Sequence, residues 1–245
     1  MSSRRFLLSE PPFQGRAILL GSEAHHLRGV LRAQPGSVVE LFDGSGQVWR
    51  GIVDHCSQDR VELCQVELLE PGSMKAARLV LIQSLCKAEK LEWLLEKCTE
   101  IGVDEIYLLE AARSVVRIPK ERLDAKMERW RKIVLAAVKQ SRHNTFPVLH
   151  PPCSLASVWS SLAPGLRLLL SEQEHAESLK KILRCSSWQH AAFCIGPEGG
   201  WTEEEHGALV RSGFRPASLG SQILRTETAA VVAAAILKYE QETVE

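Results

Sequence analysis

Residues 194–205, CIGPEGGWTEEE, place three glycines within five positions directly after an apolar run. Because glycine has no side chain that could block a ligand, such a turn lets a small molecule approach bare backbone. Thr202 followed by Glu205 fits a capping box, which predicts that a helix begins where the turn ends. The turn has no phosphate-binding lysine, and Glu198 within it would repel a phosphate. This stretch alone is compatible with a phosphate-free ligand site or with a tight turn that binds nothing.

Two further stretches are predicted to be the ends of strands and the loops that follow them. Residues 168–172 read LLLSE, and residues 218–229 read SLGSQILRTETA. The second places Arg225, Glu227 and two threonines at the start of a very apolar helix, and local departures of this kind tend to mark functional sites. In open α/β sheets ligands bind beyond the carboxyl ends of the strands. We therefore expect the three loops to converge on one pocket.

Basic residues are concentrated in one part of a chain whose formal net charge is zero. Residues 113–142 contain ten Lys or Arg and only three Asp or Glu. A solvated helix face is the usual meaning of a charge run, but such faces normally mix signs. The excess indicates a local surface for a polyanion, with an affinity that falls steeply as salt is added.

The elements that position these residues fall into two parts. Residues up to about 72 are predicted to form short strands and turns, including a hairpin with its connection at residues 43–46 and a short helix with Ser22 as its N-cap. Beyond Pro71 and Gly72, apolar strands alternate with helical patterns, which predicts a parallel sheet covered by helices. The last helix is apolar nearly all round over residues 229–237, so it is buried within the monomer or, less commonly, under a second subunit.

Several classes of protein are disfavoured by composition. The seven cysteines are widely spaced and no pair forms C-x-x-C, so neither a disulfide framework nor a zinc site is expected. The adjacent His25 and His26 have no third ligand at metal spacing. No apolar run approaches the roughly 20 residues that cross a bilayer, and the N-terminus does not read as a secretory signal. We expect a cytoplasmic protein without metal or membrane partner.

The motifs together resemble one family over almost the whole chain. IGPEGGWTEEE followed by LGSQILRTETAA resembles the paired C-terminal motifs of the ribosomal RNA small-subunit methyltransferase E family. KAEKLEWLLEKCTEIGVDEIYLL and RWRKIVLAAVKQSRHNTFPVL resemble its middle motifs, and HHLRGVLRAQPGSVVELFDGSG resembles its N-terminal domain.

The resemblance implies a fold and an activity. Residues 73–245 would form a SPOUT methyltransferase domain, a knotted parallel sheet flanked by helices with a C-terminal trefoil knot. Residues 1–72 would form a PUA-like β-barrel that binds RNA. The implied enzyme is a homodimer that uses S-adenosylmethionine to methylate N3 of a uridine in the 16S ribosomal RNA of the small subunit.

The resemblance and the three loops also imply site residues. Arg142, Glu198 and Arg225 are the catalytic candidates: an arginine would balance negative charge on the uracil oxygens, and Glu198 or Glu227 would accept the proton or orient the base. The residues expected to bind S-adenosylmethionine are Leu170, Ile195, Gly196, Pro197, Gly200, Leu219, Gly220, Ile223, Leu224 and Thr228. Those expected to bind RNA are Arg4, Arg5, Arg28, Arg32, Arg113 and Arg117.

Other functions stay open at this stage. A related SPOUT enzyme could act on a ribose 2′-hydroxyl or on transfer RNA. A non-catalytic, RNA-binding ribosome assembly factor would keep the basic helix without needing a cofactor loop. A nicotinamide enzyme is the weakest alternative, because the chain lacks a G-x-G-x-x-G turn.

Overall fold

The computed structural model of the chain divides it into two compact units. The first unit contains Met1–Met74 and Val138–Phe146, and the second contains Lys75–Ala137 and Pro147–Glu245. The chain therefore returns to the first unit for a short stretch that sequence reasoning assigned to the second domain. The structure describes residues 5–57, 59–72, 77–159, 161–172 and 176–242.

A curled five-stranded sheet forms the first unit. Its order is β1-β3-β4-β5-β2, and all neighbouring pairs except β1 with β3 are antiparallel. Alternating apolar residues of the strands pack inside the curl around Leu27, Leu41 and Leu63. The predicted hairpin is confirmed, because β3 and β4 pair across residues 43–46. The strands are β1 Arg5–Leu7, β2 Ala17–Leu20, β3 Val38–Phe42, β4 Gln47–Cys56 and β5 Arg60–Pro71.

The N-cap of the short helix in this unit lies two residues before the predicted position. Helix α1 covers Gly21–His25 and continues as a π-helical turn over His26–Val30. Its N-cap is Leu20 and makes no side-chain hydrogen bond, so the prediction of Ser22 as N-cap was wrong. The chain leaves β2 in extended geometry at Leu20, and the helix therefore starts as soon as the strand ends.

A seven-stranded parallel sheet forms the second unit and confirms the predicted α/β class. Its order is β10-β12-β9-β11-β6-β7-β8. After β8 the chain crosses to the other side of β6, so β9, β11 and β12 lie together in one half of the sheet. The strands are β6 Arg78–Ser84, β7 Glu105–Leu109, β8 Val148–Leu149, β9 Leu166–Leu170, β10 Glu177–Ser178, β11 His190–Ile195 and β12 Arg215–Ser218.

Helices connect and cover these strands. The predicted stop at Gly102 is confirmed, because this residue caps its helix at φ 95° in the left-handed region that favours glycine. The helices are α2 Ala88–Ile101, α3 Lys120–Ser141, α4 Leu155–Trp159, α5 Leu179–Arg184, α6 Glu203–Arg211 and α7 Thr226–Glu242. None of the helices in the described ranges is both long and apolar enough to cross a membrane.

The last helix, α7, is partly buried within this one chain. Ala230, Ala233, Ala234 and Leu237 have no exposed surface and pack in the core beside α2. Tyr239 on another side of the helix is exposed. The monomer therefore covers one side of α7, as the sequence favoured, and leaves another side open.

Candidate active site

Three loops from the carboxyl ends of neighbouring strands line one cavity of about 480 Å³. They follow β9, β11 and β12, and the last of them leads into α7. We call this the loop cavity. Nine of the ten residues predicted to bind the cofactor line it, whereas Thr228 lines a neighbouring cavity instead. The nine are Leu170, Ile195, Gly196, Pro197, Gly200, Leu219, Gly220, Ile223 and Leu224.

A buried hydroxyl joins two of these loops. Thr226 Oγ1 donates to the carbonyl oxygen of Gly196 at 2.9 Å and accepts from Gln83 Nε2 at 3.0 Å. Gln83 lies on the central strand β6 and is completely buried. Because buried polar groups are costly to leave unpaired, this chain of hydrogen bonds fixes the glycine turn and the start of α7 against the sheet.

The glycine turn needs its glycines for different reasons. A Cβ atom at Gly196 would lie 2.9 Å from Trp201 Nε1, so the indole packs directly over bare backbone. Gly200 has φ +69°, a conformation that side chains disfavour. Trp201 Nε1 is buried and has no hydrogen-bond partner among the described residues, and Trp201 lines the loop cavity.

Residues 112 and 113, which follow β7, form hydrogen bonds with the glycine turn and with the start of α6. Arg113 donates to the carbonyl oxygens of Gly199 at 3.2 Å and Trp201 at 3.4 Å. The predicted capping box is confirmed: Glu205 accepts from the Thr202 backbone, and the Thr202 hydroxyl accepts from the Glu205 backbone. Glu205 also accepts from the Ala112 backbone N–H at 2.7 Å. Arg113 therefore supports the glycine turn in this structure, and its predicted contact with RNA stays a prediction.

A lysine that sequence reasoning missed connects the two acidic candidates. Lys90 on α2 forms an ion pair with Glu198, and its Nζ lies 3.6 Å from Glu227 Oε2. The hydrogen bond to Lys90 lowers the pKa of Glu198 and raises the pKa of Lys90. Glu227 is less exposed than Glu198, and its Oε2 has no hydrogen-bond partner among the described residues. The only sequence signal for Lys90 was its place in the motif KAEK.

A second, more open cavity of about 620 Å³ adjoins the loop cavity. We call it the side cavity. Four residues line both cavities, namely Lys90, Ile223, Leu224 and Arg225, and the side cavity adds Glu89, Trp93, Glu227 and Thr228. It therefore brings Arg225, a predicted catalytic residue, together with an exposed indole and two carboxylates.

The third predicted catalytic residue, Arg142, belongs to the first unit. It is exposed, has φ 62°, and follows the end of α3 in a segment that is tied to the curled sheet. The backbone of Asn144 accepts from Gly46 N at 3.1 Å, and its side chain contacts Arg5 and Glu70. Lys139 in the same segment pairs with Glu23 at 2.8 Å. The position of Arg142 is thus fixed by its neighbours on the sheet.

The residues predicted to bind RNA have different environments. The side chain of Arg5 is 1% exposed, pairs with Glu40 at 3.2 Å and stacks over Phe42, so it is not available to a phosphate in this structure. Burial lowers the pKa of Arg5, against the opposing effect of Glu40. Arg28, Arg32 and Arg117 are exposed, and Arg4 lies outside the described residues.

The rest of the basic run is partly neutralised. On α3, Arg129 pairs with Glu92 and Lys132 with Glu128, each at 2.7 Å. Within the described part of the chain, no group of three or more His, Cys, Asp or Glu could hold a metal ion.

Comparison with known proteins defines the class to which this fold and site belong. A family model described as an RNA methyltransferase domain matches residues 73–238, and one described as an RNA methyltransferase PUA domain matches residues 19–63. The chain is thus an RNA methyltransferase with an N-terminal PUA domain and an α/β domain of the SPOUT type.

The particular family follows from relatives and solved structures. Ribosomal RNA small subunit methyltransferase E of Mycobacterium bovis is 32% identical over 89% of this chain and 84% of its own length. The Neisseria gonorrhoeae enzyme of that name, solved with S-adenosylmethionine, is 30% identical over 97% of both chains with a TM-score of 0.83. A Legionella pneumophila methyltransferase, also solved with this cofactor, is 28% identical over 98% of both chains with a TM-score of 0.86. The chain belongs to the ribosomal RNA small subunit methyltransferase E family.

Proposed function

We propose that this protein transfers a methyl group from S-adenosylmethionine to N3 of a uridine in 16S ribosomal RNA. The observation that carries the proposal is the loop cavity, in which three strand-end loops offer mainly backbone and apolar surface to a ligand. The cavity adjoins Arg225, Glu227 and Lys90, which are suited to the acceptor base.

The residues present fit S-adenosylmethionine, which carries no phosphate. A cavity of about 480 Å³ is within the range that protein sites use for ligands of this size. The indole of Trp201 and the open backbone at Gly200 in the cavity wall suit a flat adenine. The carboxylates of Glu172 and Glu198 in the cavity wall suit a cationic ligand. When bound, this cofactor supplies an electrophilic methyl group on positively charged sulfur.

The acceptor nitrogen of uridine carries a proton that must leave. Glu198 is a poor acceptor for it, because Lys90 holds the pKa of this carboxyl below its usual value and a general base works best with a pKa near the working pH. Glu227 lies farther from Lys90, with Oε2 at 3.6 Å from Nζ, and it lines the side cavity. We assign proton removal to Glu227 and charge balance at the uracil oxygens to Arg225. Arg142 remains a proposed contact to RNA from the first unit.

The proposal includes the partners. Ribosomal RNA of the small subunit is the substrate, and its phosphates would meet exposed arginines such as Arg28, Arg32 and Arg117. A homodimer is supported by the open side of α7, where Val232 is only half-buried and Tyr239 is exposed. Action on ribosomal RNA makes the cytoplasm the proposed location. Sedimentation of the purified protein at twice the mass of one chain is the expected result for the dimer.

The experiment that tests the function maps the product. Small-subunit RNA from a host that lacks the protein is incubated with it and with isotope-labelled S-adenosylmethionine, then digested for mass spectrometry. We expect label at one uridine, on N3 of the base. Label on a ribose 2′-oxygen, or on transfer RNA instead, would favour the related SPOUT activities. RNA binding with no label in any nucleotide would favour the assembly factor.

A further inference from the structure

The side cavity has the chemistry of a site for a nucleobase turned out of its strand. Trp93 on α2 is 43% exposed, although it is a large aromatic residue with nothing polar to gain from that exposure beyond one N–H. Ile223, on the wall that the two cavities share, is also exposed. Flat bases stack on exposed aromatic side chains, and enzymes that modify a base place it against such surfaces.

The charges of the cavity are balanced rather than basic. Lys90 and Arg225 are cations, and Glu89 and Glu227 are anions. A phosphate gains little from such a wall, because the carboxylates repel it. A neutral base with alternating acceptor and donor groups gains from both kinds of residue. Uracil presents such an edge, with N3–H between two carbonyl oxygens.

We propose that the side cavity receives the extruded acceptor uracil, with its face on Trp93, its N3–H toward Glu227 and its carbonyl oxygens toward Lys90 and Arg225. This inference rests on the proposed function and adds the residues that recognise the base. We infer this occupant because Lys90, Leu224 and Arg225 line both cavities. A base in the side cavity would therefore lie next to a methyl donor in the loop cavity. Cytosine is disfavoured, because its N3 has no hydrogen and its amino group would face a cation.

The test measures whether Trp93 detects the base itself. A fragment of small-subunit RNA that contains the methylated uridine is compared with the same fragment carrying an abasic site there. Dissociation constants are measured for the full-length protein by fluorescence anisotropy, at one salt concentration. Because stacking of one base on an aromatic residue is worth about 1–3 kcal/mol, we expect the wild type to bind the abasic RNA roughly tenfold more weakly.

The variants separate stacking from packing. Trp93→Leu keeps an apolar side chain without an aromatic face, and we expect it to discriminate between the two RNAs several-fold less than the wild type does, because only the polar contacts to the base remain. Trp93→Phe should recover most of the discrimination. Val210→Ala is the control, since Val210 on α6 is also 43% exposed and lines neither cavity. It should discriminate as the wild type does.

Two results would overturn the proposal. In the first, Trp93→Leu discriminates between the RNAs as well as the wild type does. In the second, Trp93→Leu changes the sedimentation mass, which would assign this surface to a second copy of the chain. Failure of the proposed function is distinguishable from both, because the wild type would then leave every uridine of the RNA unmethylated.

Discussion

Each unit of the protein contains a cation that pairs with at least one acidic residue, and the two clusters differ in how exposed the cation is. In the first unit, Arg5 is almost fully buried between Glu40, Asn144 and the ring of Phe42. In the second unit, the Lys90 side chain is 26% exposed between Glu198 and Glu227 and faces two cavities.

The difference indicates what each cluster does. A buried arginine with several partners fastens chain segments that are distant in sequence, and its side chain, 1% exposed, has almost no surface open to a ligand. The Lys90 cluster stays partly exposed, and its members line the two cavities. We infer that the closed cluster maintains the fold of the first unit, whereas the open cluster acts on the substrate.

The largest expected effect separates the two carboxylates of the open cluster. Glu227→Gln should lower kcat by about 100-fold, because general base catalysis contributes at least that much, while the affinity for S-adenosylmethionine stays unchanged. Glu198→Gln should mainly raise KM for this cofactor, because it weakens the anchor of the glycine turn. Steady-state kinetics with the RNA fragment measures both. Equal losses of kcat in the two variants would contradict the assignment.

The closed cluster is tested by Arg5→Met, which keeps the length of the side chain and removes its charge. We expect the first unit to lose about 2 kcal/mol of stability, as is typical when hydrogen bonds to a charged group are removed. Hydrogen exchange should rise in β1 and β3, with β6 and β11 as internal controls. Unchanged exchange in β1 would show that the buried arginine contributes nothing to the fold.

The link between the loops is tested by Thr226→Val, which preserves shape and removes the hydroxyl. The Gly196 carbonyl and the Gln83 amide then lose a buried partner, and about 1 kcal/mol of this cost should appear in cofactor binding. We expect the dissociation constant for S-adenosylmethionine to rise roughly fivefold to tenfold by calorimetry. Thr226→Ser is the matched control and should bind almost as the wild type does.

A smaller effect distinguishes two arginines of the basic run. Arg113→Ala should weaken cofactor binding about threefold, because it removes an exposed support of the glycine turn. Arg117→Ala should leave cofactor binding unchanged. It should reduce the slope of log K for RNA binding against log salt concentration by about one, as expected for the loss of one phosphate contact. The opposite pattern would show that Arg113 acts mainly as the RNA contact that the sequence predicts.

The smallest effect concerns protonation of the Glu198 carboxylate in the glycine turn. The pKa of Glu198 is lowered in the folded protein, so its pair with Lys90 stabilises the turn at neutral pH and is lost as the pH falls through that lowered pKa. Lys90→Met should return the Glu198 titration to its usual range in an NMR experiment. An unchanged titration would mean that Lys90 does not control this carboxyl.

Much of the fold and of the loop cavity could be predicted from the sequence, because the sequence signals for these parts are local. The capping box of Thr202 with Glu205, the stop at Gly102 and the hairpin at residues 43–46 each depend on neighbouring residues, and each is found in the structure. The three strand ends could be grouped because parallel strands place their carboxyl ends on one edge of a sheet.

What the sequence could not indicate are pairings between distant residues. Arg5 lies 139 positions from Asn144 and Lys90 lies 108 positions from Glu198, so no periodicity links them. For the same reason the sequence did not indicate that Arg5 and Arg113, both predicted to contact RNA, also have partners within the protein. The trefoil knot stays a prediction of the family resemblance.

Hydrogen exchange of the full-length protein with and without saturating S-adenosylmethionine tests the central claim, that the three strand-end loops bind the methyl donor. We predict slower exchange in the segments that line the loop cavity, around residues 170–172, 195–201 and 217–226, with little change in β3 and β4. Unchanged exchange in all three segments, or protection confined to other parts of the chain, would contradict the account.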